Sequence, residues 1–214
     1  MNARVIRILL FFALPAVMSR GAPAGAESLT PDELVRVAQG EIIVRTLATE
    51  GATAGRVLAA VEIPAAAGVV WAVMVDVERA PEFIPGLRRA RVLERGASHE
   101  LIEHTVKYAA LLPEFTYRYR ADYRRPERID FQRVSGDLRV LQGAWQLRPD
   151  GDVRTVVVYS VFLDPGFFVP QWLVRQSLRQ NLPAVLRALR TRVQALALAP
   201  LSRARPVSAG PRRG

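Results

Sequence analysis

The chain has 214 residues, half of them hydrophobic and 23% charged, with a formal charge of +10 and no cysteine. A domain takes about 100 to 200 residues, so this length suits one domain with a further piece at each end, and the apolar fraction excludes a disordered chain. The lack of cysteine excludes disulfides, thiol catalysis, cysteine-bound metal and a lipid-modified N-terminal cysteine.

Taken in chain order, the first 26 residues read as a secretory signal. Arg4 and Arg7 form a basic start, Ile8 to Val17 an apolar stretch, and Ala22-Pro-Ala24 and Ala24-Gly-Ala26 offer small-residue cleavage sites. A membrane span needs roughly 20 apolar residues, and this run is shorter and broken by Pro15. The expectation is export, to a bacterial periplasm, with cleavage near Ala24 or Ala26. Seven of the excess positive charges lie at the ends, with Arg4, Arg7 and Arg20 in the leader and Arg203, Arg205, Arg212 and Arg213 in the tail. The body between them carries only +3, and its basic residues are arginines apart from Lys107. That balance speaks against a nucleic-acid partner.

Thr30-Pro-Asp-Glu33 has the residues of a helix start and predicts a short helix to about Gln39. Glu41 to Ala48 and Arg56 to Ile63 read as two paired strands around a glycine-containing turn. Ala65 to Val77 reads as a helix covered on most sides, ended by Pro81, Pro85 and Gly86. Between Arg88 and Asp164, breaks at Gly96, Pro113, Pro126, Gly136 and Asp150-Gly151 predict six strands in an antiparallel meander. In one of them Phe115, Tyr117, Tyr119, Ala121 and Tyr123 alternate with polar residues, giving an aromatic face and a wet face. From Pro170 onward, Leu178, Leu182, Val185, Leu186, Leu189, Val193 and Leu196 mark a long amphipathic helix, kinked at Pro183 and ended by Pro200.

Local strings within this order carry a resemblance. Val61-Glu-Ile-Pro64, Val70-Trp71, Val75-Asp-Val-Glu78 and Pro81-Glu-Phe-Ile-Pro85 resemble the opening of the START-like superfamily of polyketide cyclases and lipid carriers. Gly136-Asp-Leu-Arg139 and Gly143-Ala-Trp-Gln-Leu147 resemble a later strand of its coenzyme Q-binding branch. The resemblance covers about Val57 to Val193. It implies an α+β helix-grip fold, a curved antiparallel sheet wrapped around the long C-terminal helix, with an internal site for a lipid, quinone or polycyclic compound. The expected division is a signal peptide at 1–26, an N-terminal helix and first strand at 27–55, the ligand-binding domain at 56–199, and a disordered basic tail at 200–214.

The expected cavity walls are Trp71, Phe83, Phe115, Tyr117, Tyr119, Tyr123, Phe131 and Trp145, with Trp172 and Leu173 closing it from the final helix. Each also has the reading of plain core packing. Sites of this kind measure about 300 to 1,000 Å³, and burying about 400 Å² of ligand contributes roughly 10 kcal/mol before association costs. His99 and His104, five apart on one strand, face opposite ways and suit no shared metal; either reads as a surface histidine. Glu103, Glu114 and Asp76 are the available acids, and no cofactor is implied.

The leading expectation is a binding or carrier protein for a hydrophobic molecule, its basic tail in transient contact with an anionic membrane surface. Two others stand beside it: a cyclase or dehydratase using cavity tyrosines with His104 or a carboxylate, and an interaction module with a filled core. A buried acid or base facing an open cavity marks the enzyme, an apolar cavity the carrier, and a packed interior the module.

Overall fold

A computed structural model describes residues 28–47, 55–107, 114–166 and 171–203. The expected leader and all of the expected tail beyond Arg203 lie outside them. Thr30 starts α1 (Pro31–Ala38) with a reciprocal capping box, its hydroxyl accepting from the Glu33 amide while the Glu33 carboxylate accepts from the Thr30 amide. The strands β1 (Ile43–Leu47) and β2 (Gly55–Ile63) pair as an antiparallel hairpin. The helix α2 (Ala67–Val75) leads into a 3-10 helix, Val77–Glu82. Six strands follow: β3 (Leu87–Arg95), β4 (His99–Val106), β5 (Phe115–Arg124), β6 (Arg128–Gly136), β7 (Val140–Asp150) and β8 (Arg154–Asp164). The helix α3 (Gln171–Arg203) closes the chain order.

All eight strands form one sheet in the order β1-β2-β8-β7-β6-β5-β4-β3, antiparallel throughout. The meander hairpins give neighbours in sequence, and the β2–β8 pairing brings the N-terminal hairpin alongside the last strand. Register shifts in the β3–β4 and β5–β6 ladders bend it. The helix α3 lies on the inner face, burying Leu182, Leu186, Leu189 and Val193 at spacings of four, three and four against Val57, Val61, Val157 and Val161 of β2 and β8. The fold is the expected α+β helix-grip arrangement.

Three expectations change. The helix α3 passes Pro200 and ends at Arg203; a proline this close to the terminus removes one bond of the last turn and has no long stretch beyond it to disrupt. The first part of the chain also does more than precede the domain. Val37 of α1 and Leu29 cover Leu58, Ala60 and Val158 on the outer face, a second small core that makes β2 and β8 apolar on both sides. Finally, α2, expected to sit inside the structure, keeps one face exposed at Val69 and Ala72.

The start of α2 is tied to β8 by one buried bond. The Thr155 hydroxyl, fully inaccessible, donates to the Ala65 carbonyl at 2.8 Å. Thr155→Val keeps the shape and strands that carbonyl, so the expected loss is about 2 kcal/mol, read from the midpoint of urea unfolding.

Candidate functional site

The inner faces of β4, β5, β6, β7 and β8 meet α2, the 3-10 helix and α3 around a cavity of about 200 Å³. Strand alternation supplies its walls. On β5, Tyr117, Tyr119, Ala121 and Tyr123 point inward and Arg118, Arg120, Asp122 and Arg124 outward, as the sequence pattern indicates. Opposite them, Phe131, Trp145 and Tyr159 form an aromatic wall. Tyr119 meets Phe131 edge-on at 6.2 Å, Phe131 stacks on Tyr159 at 5.8 Å, and Tyr159 lies 4.1 Å from Trp145. The closing side is aliphatic, with Leu182, Val185 and Leu189 from α3.

Gly143 makes the aromatic wall feasible. It pairs with Phe131 on one side and Val161 on the other, and a Cβ there would stand 2.0 Å from the Ser160 carbonyl oxygen and 2.7 Å from the Phe131 ring. The strand backbone approaches closely, and the Phe131 ring lies over the glycine.

The polar content of the cavity centres on His104. Tyr119 Oη lies 3.1 Å from Nε2 and Tyr117 Oη 3.5 Å from Nδ1. Burial disfavours the imidazolium and pushes the His104 pKa down to about 4. The ring is therefore neutral near pH 7, with one nitrogen donating and the other accepting, so the two tyrosines play opposite hydrogen-bond roles toward it.

A second polar group sits on the same strand face. Glu100 is buried, accepts from Tyr123 Oη at 2.8 Å and from Arg95 at 2.8 Å, and Arg95 in turn reaches Glu78 of the 3-10 helix at 3.6 Å. Desolvation first, and then the bond to Glu100, raise the Tyr123 pKa above its ordinary value. The phenol stays protonated and clamped.

Of the ten expected wall residues, Phe83, Tyr117, Tyr119, Tyr123, Phe131 and Trp145 line the cavity. Trp71 and Phe115 do not. Trp71 is buried behind Tyr123, edge-on at 6.0 Å, and Phe115 stacks on the far side of Tyr117 at 6.4 Å. Both support wall rings from outside, because the cavity's perimeter is already filled by residues nearer its centre. Trp172 and Leu173 fall within α3, and their side chains lie outside the described residues.

His104 is a cavity residue and not the surface histidine expected; His99, with opposite parity, faces outward beside Asp122. Among the expected acids, Glu103 pairs with Arg118 on the outer face and Asp76 with Arg79 beside it, whereas the inward acid is Glu100. Glu100 and Tyr159 were missed. Once strand pairing fixes the phase, alternation places both inward: Glu100 with Ile102, His104 and Val106 on β4, and Tyr159 with Val157 and Val161 on β8.

A family model described as polyketide cyclase / dehydrase and lipid transport matches residues 63–190. No curated protein matches in sequence. Solved structures do resemble this one. The Zhui aromatase/cyclase from Streptomyces sp. R1128 is 19% identical, with a TM-score of 0.59 over 73% of this chain and 99% of that one. A STAR-related lipid transfer protein (fragment 25–204) from Xanthomonas axonopodis is 21% identical, with a TM-score of 0.63 over 72% and 93%. Human STARD10 is 13% identical, with a TM-score of 0.64 over 75% and 72%. At these identities the likeness is one of fold.

Proposed function

Because this chain belongs to the polyketide cyclase/dehydrase and lipid transport family, within the START-like superfamily, we propose that it is a binding or carrier protein for a compact, uncharged, largely apolar molecule. One observation carries the reading: an aromatic and aliphatic cavity of about 200 Å³ whose central polar group is an imidazole held neutral between two phenols. A real void argues against an interaction module with a filled core. The volume is smaller than the roughly 300 to 1,000 Å³ of drug-sized sites, because Tyr119, Tyr123 and Phe131 project into the space between sheet and helix. It favours a fused-ring or single-chain ligand over a two-chain phospholipid. A quinone is one member of that class, and its carbonyls match hydroxyl donors.

Export belongs to the same proposal and is supported by the basic, apolar and small-residue order of the first 26 residues. Among the described residues no helix is long and apolar enough to cross a membrane. The tail arginines would bring the carrier to an anionic bilayer surface.

Cyclase-type chemistry is the second reading, and His104 beside Tyr119 in the cavity favours it. General bases work best with a pKa near the working pH, and a pKa of about 4 makes this imidazole a weak one. Binding therefore leads.

The test uses the neutral fluorescent probe N-phenyl-1-naphthylamine and extraction of the purified protein for mass spectrometry. Ala121, 1% exposed, lines the cavity between Tyr119 and Tyr123. Ala121→Leu fills part of the void, so probe affinity should fall at least about tenfold while urea stability holds or rises. Unchanged affinity would place the probe elsewhere and remove the cavity reading. A stoichiometric co-purified apolar molecule names the ligand class. Turnover of a polyketide chain that His104→Gln abolishes, with probe binding intact, would replace the carrier reading by the cyclase.

A further inference from the structure

Between α2 and α3 lies a second space, a surface cleft of about 250 Å³ lined by Val69, Ala72, Asp76, Arg79, Arg192 and Leu196. Val73 and Phe83 line both this cleft and the internal cavity, so two side chains separate them. The cleft combines apolar side chains, Val69, Ala72, Val73, Phe83 and Leu196, with the charged Asp76, Arg79 and Arg192. Val69 and Leu196 remain 36% and 44% exposed, on neighbouring helices.

Phe83 packs against the core and is braced from the cleft side by charge. Arg192 of α3 donates to Glu82 at 2.9 Å, and its guanidinium stands 5.5 Å from the centre of the Phe83 ring. The segment bearing Glu82 and Phe83 is bounded by two backbone turning points. Asp76, with φ −81° and ψ 64°, ends α2, and Gly86, with φ +80°, precedes β3 in a conformation that favours glycine. Its inner side chains, Val77, Ala80, Phe83 and Ile84, all line the cavity. The segment is thus a wall panel between two backbone turning points, tied to β3 through Glu78 and Arg95 and to α3 by one arginine that reaches both its last acid and its aromatic ring.

We propose that the α2–α3 cleft is the portal through which an apolar ligand reaches the cavity, with Phe83 as the door and the Arg192–Glu82 pair as its latch. The proposal rests on the cavity reading above for its ligand. It adds the route and the residues that set the exchange rate. Breaking the latch lets Phe83 swing toward the cleft and joins the two spaces, whereas the walls supplied by β4 to β8 stay in place. Salt weakens an exposed ion pair, so exchange speeds up with ionic strength.

Because the chain has no cysteine, one introduced thiol reports on access without any ligand. Ala121→Cys puts that thiol in the cavity wall, and its reaction with the uncharged reagent N-ethylmaleimide measures how often the cavity opens. In that background, Arg192→Gln and Glu82→Gln should each raise the rate about three- to tenfold. The double variant should be no faster than the singles, and Phe83→Ala should be the fastest. Added salt should accelerate the parent and leave the latch variants unchanged. Arg139→Gln removes the arginine from a pair with the buried Asp164, Arg139–Asp164 at 3.4 Å, away from the cleft, and should not change the rate. The portal is overturned if the latch variants react at the parental rate, if Arg139→Gln accelerates as much, or if rates follow urea stability alone. Loss of probe binding with a latch-dependent thiol rate would instead remove the carrier reading and leave the portal standing.

Discussion

Gly143→Ala should prevent stable folding, at a cost of more than about 4 kcal/mol, the range of exceptional single substitutions. The added carbon meets the Ser160 carbonyl oxygen at 2.0 Å, and that atom is backbone in the adjacent strand. A flexible side chain could turn aside. Here β7 is held by ladders to β6 and β8 at the same residue, so relief requires separating strands along two edges at once. The same carbon strikes Phe131 at 2.7 Å and would displace the ring stack that forms the cavity wall. Folded domains are stable by only about 5 to 15 kcal/mol, so near-ultraviolet circular dichroism should show little native packing. Gly68→Ala is the matched control: in α2, with nothing within 4 Å of the new carbon, it should stabilise by about 0.5 to 1 kcal/mol. Equal behaviour of the two variants would refute the account.

The second large effect is acid sensitivity through His104. Its folded pKa of about 4 lies below the ordinary 6.5 because burial disfavours the charged ring. Below pH 6.5 the unfolded chain takes up a proton that the folded chain refuses. Stability is therefore intact above about pH 6.5, falls as pH drops toward 4, and flattens, for this group, below that. The gap corresponds to about 3 kcal/mol, an upper limit for a half-buried ring. Carboxylates also titrate in this window, so the readout is a difference. Urea unfolding of the parent and His104→Gln at pH 7, 6, 5 and 4 should show the parent losing more than the variant, by up to about 3 kcal/mol. Parallel curves would mean that the ring is hydrated and free to charge. Protonation of the folded ring, which sets in only as pH nears 4, places a cation among the wall aromatics, so affinity for an apolar probe should hold down to about pH 5 and weaken near pH 4.

The architecture was legible because its signals are local. Thr30 with Glu33 specified a helix start, β5 showed five inward positions in perfect alternation, and the turn residues between Arg88 and Asp164 separated six strands. The site was legible only where alternation was clean. In β4, His99-Glu-Leu-Ile-Glu-His-Thr-Val106 mixes polar and apolar residues on both faces, so nothing in composition fixed its phase, and Glu100 and His104 went unrecognised as inward groups. Pairing fixed it: His104 lies opposite Tyr117, and Tyr117 belongs to the face that β5 makes unambiguous. For Trp71 and Phe115 the limit was different. A sequence shows that an aromatic belongs to the core but not whether it forms the first layer around a void or the layer behind it. Likewise, the exposed face of α2 depends on how far α3 stands from it, a distance set by the whole sheet.

The pairing of β2 with β8 has a consequence for how the molecule is made. Ile63 waits for Thr155 and Gly55 for Leu163, partners 92 and 108 positions further along the chain. During synthesis the β1–β2 hairpin emerges early with one edge unpaired, whereas β3 to β8 pair with immediate neighbours as they appear. Closing so long a loop is slow, and until then Val57, Leu58, Val61 and Ile63 have neither α3 nor Val158 to cover them. Newly made chains thus expose their most apolar strand longest, and that strand is where a chaperone would bind and where misassembly between nascent copies would start.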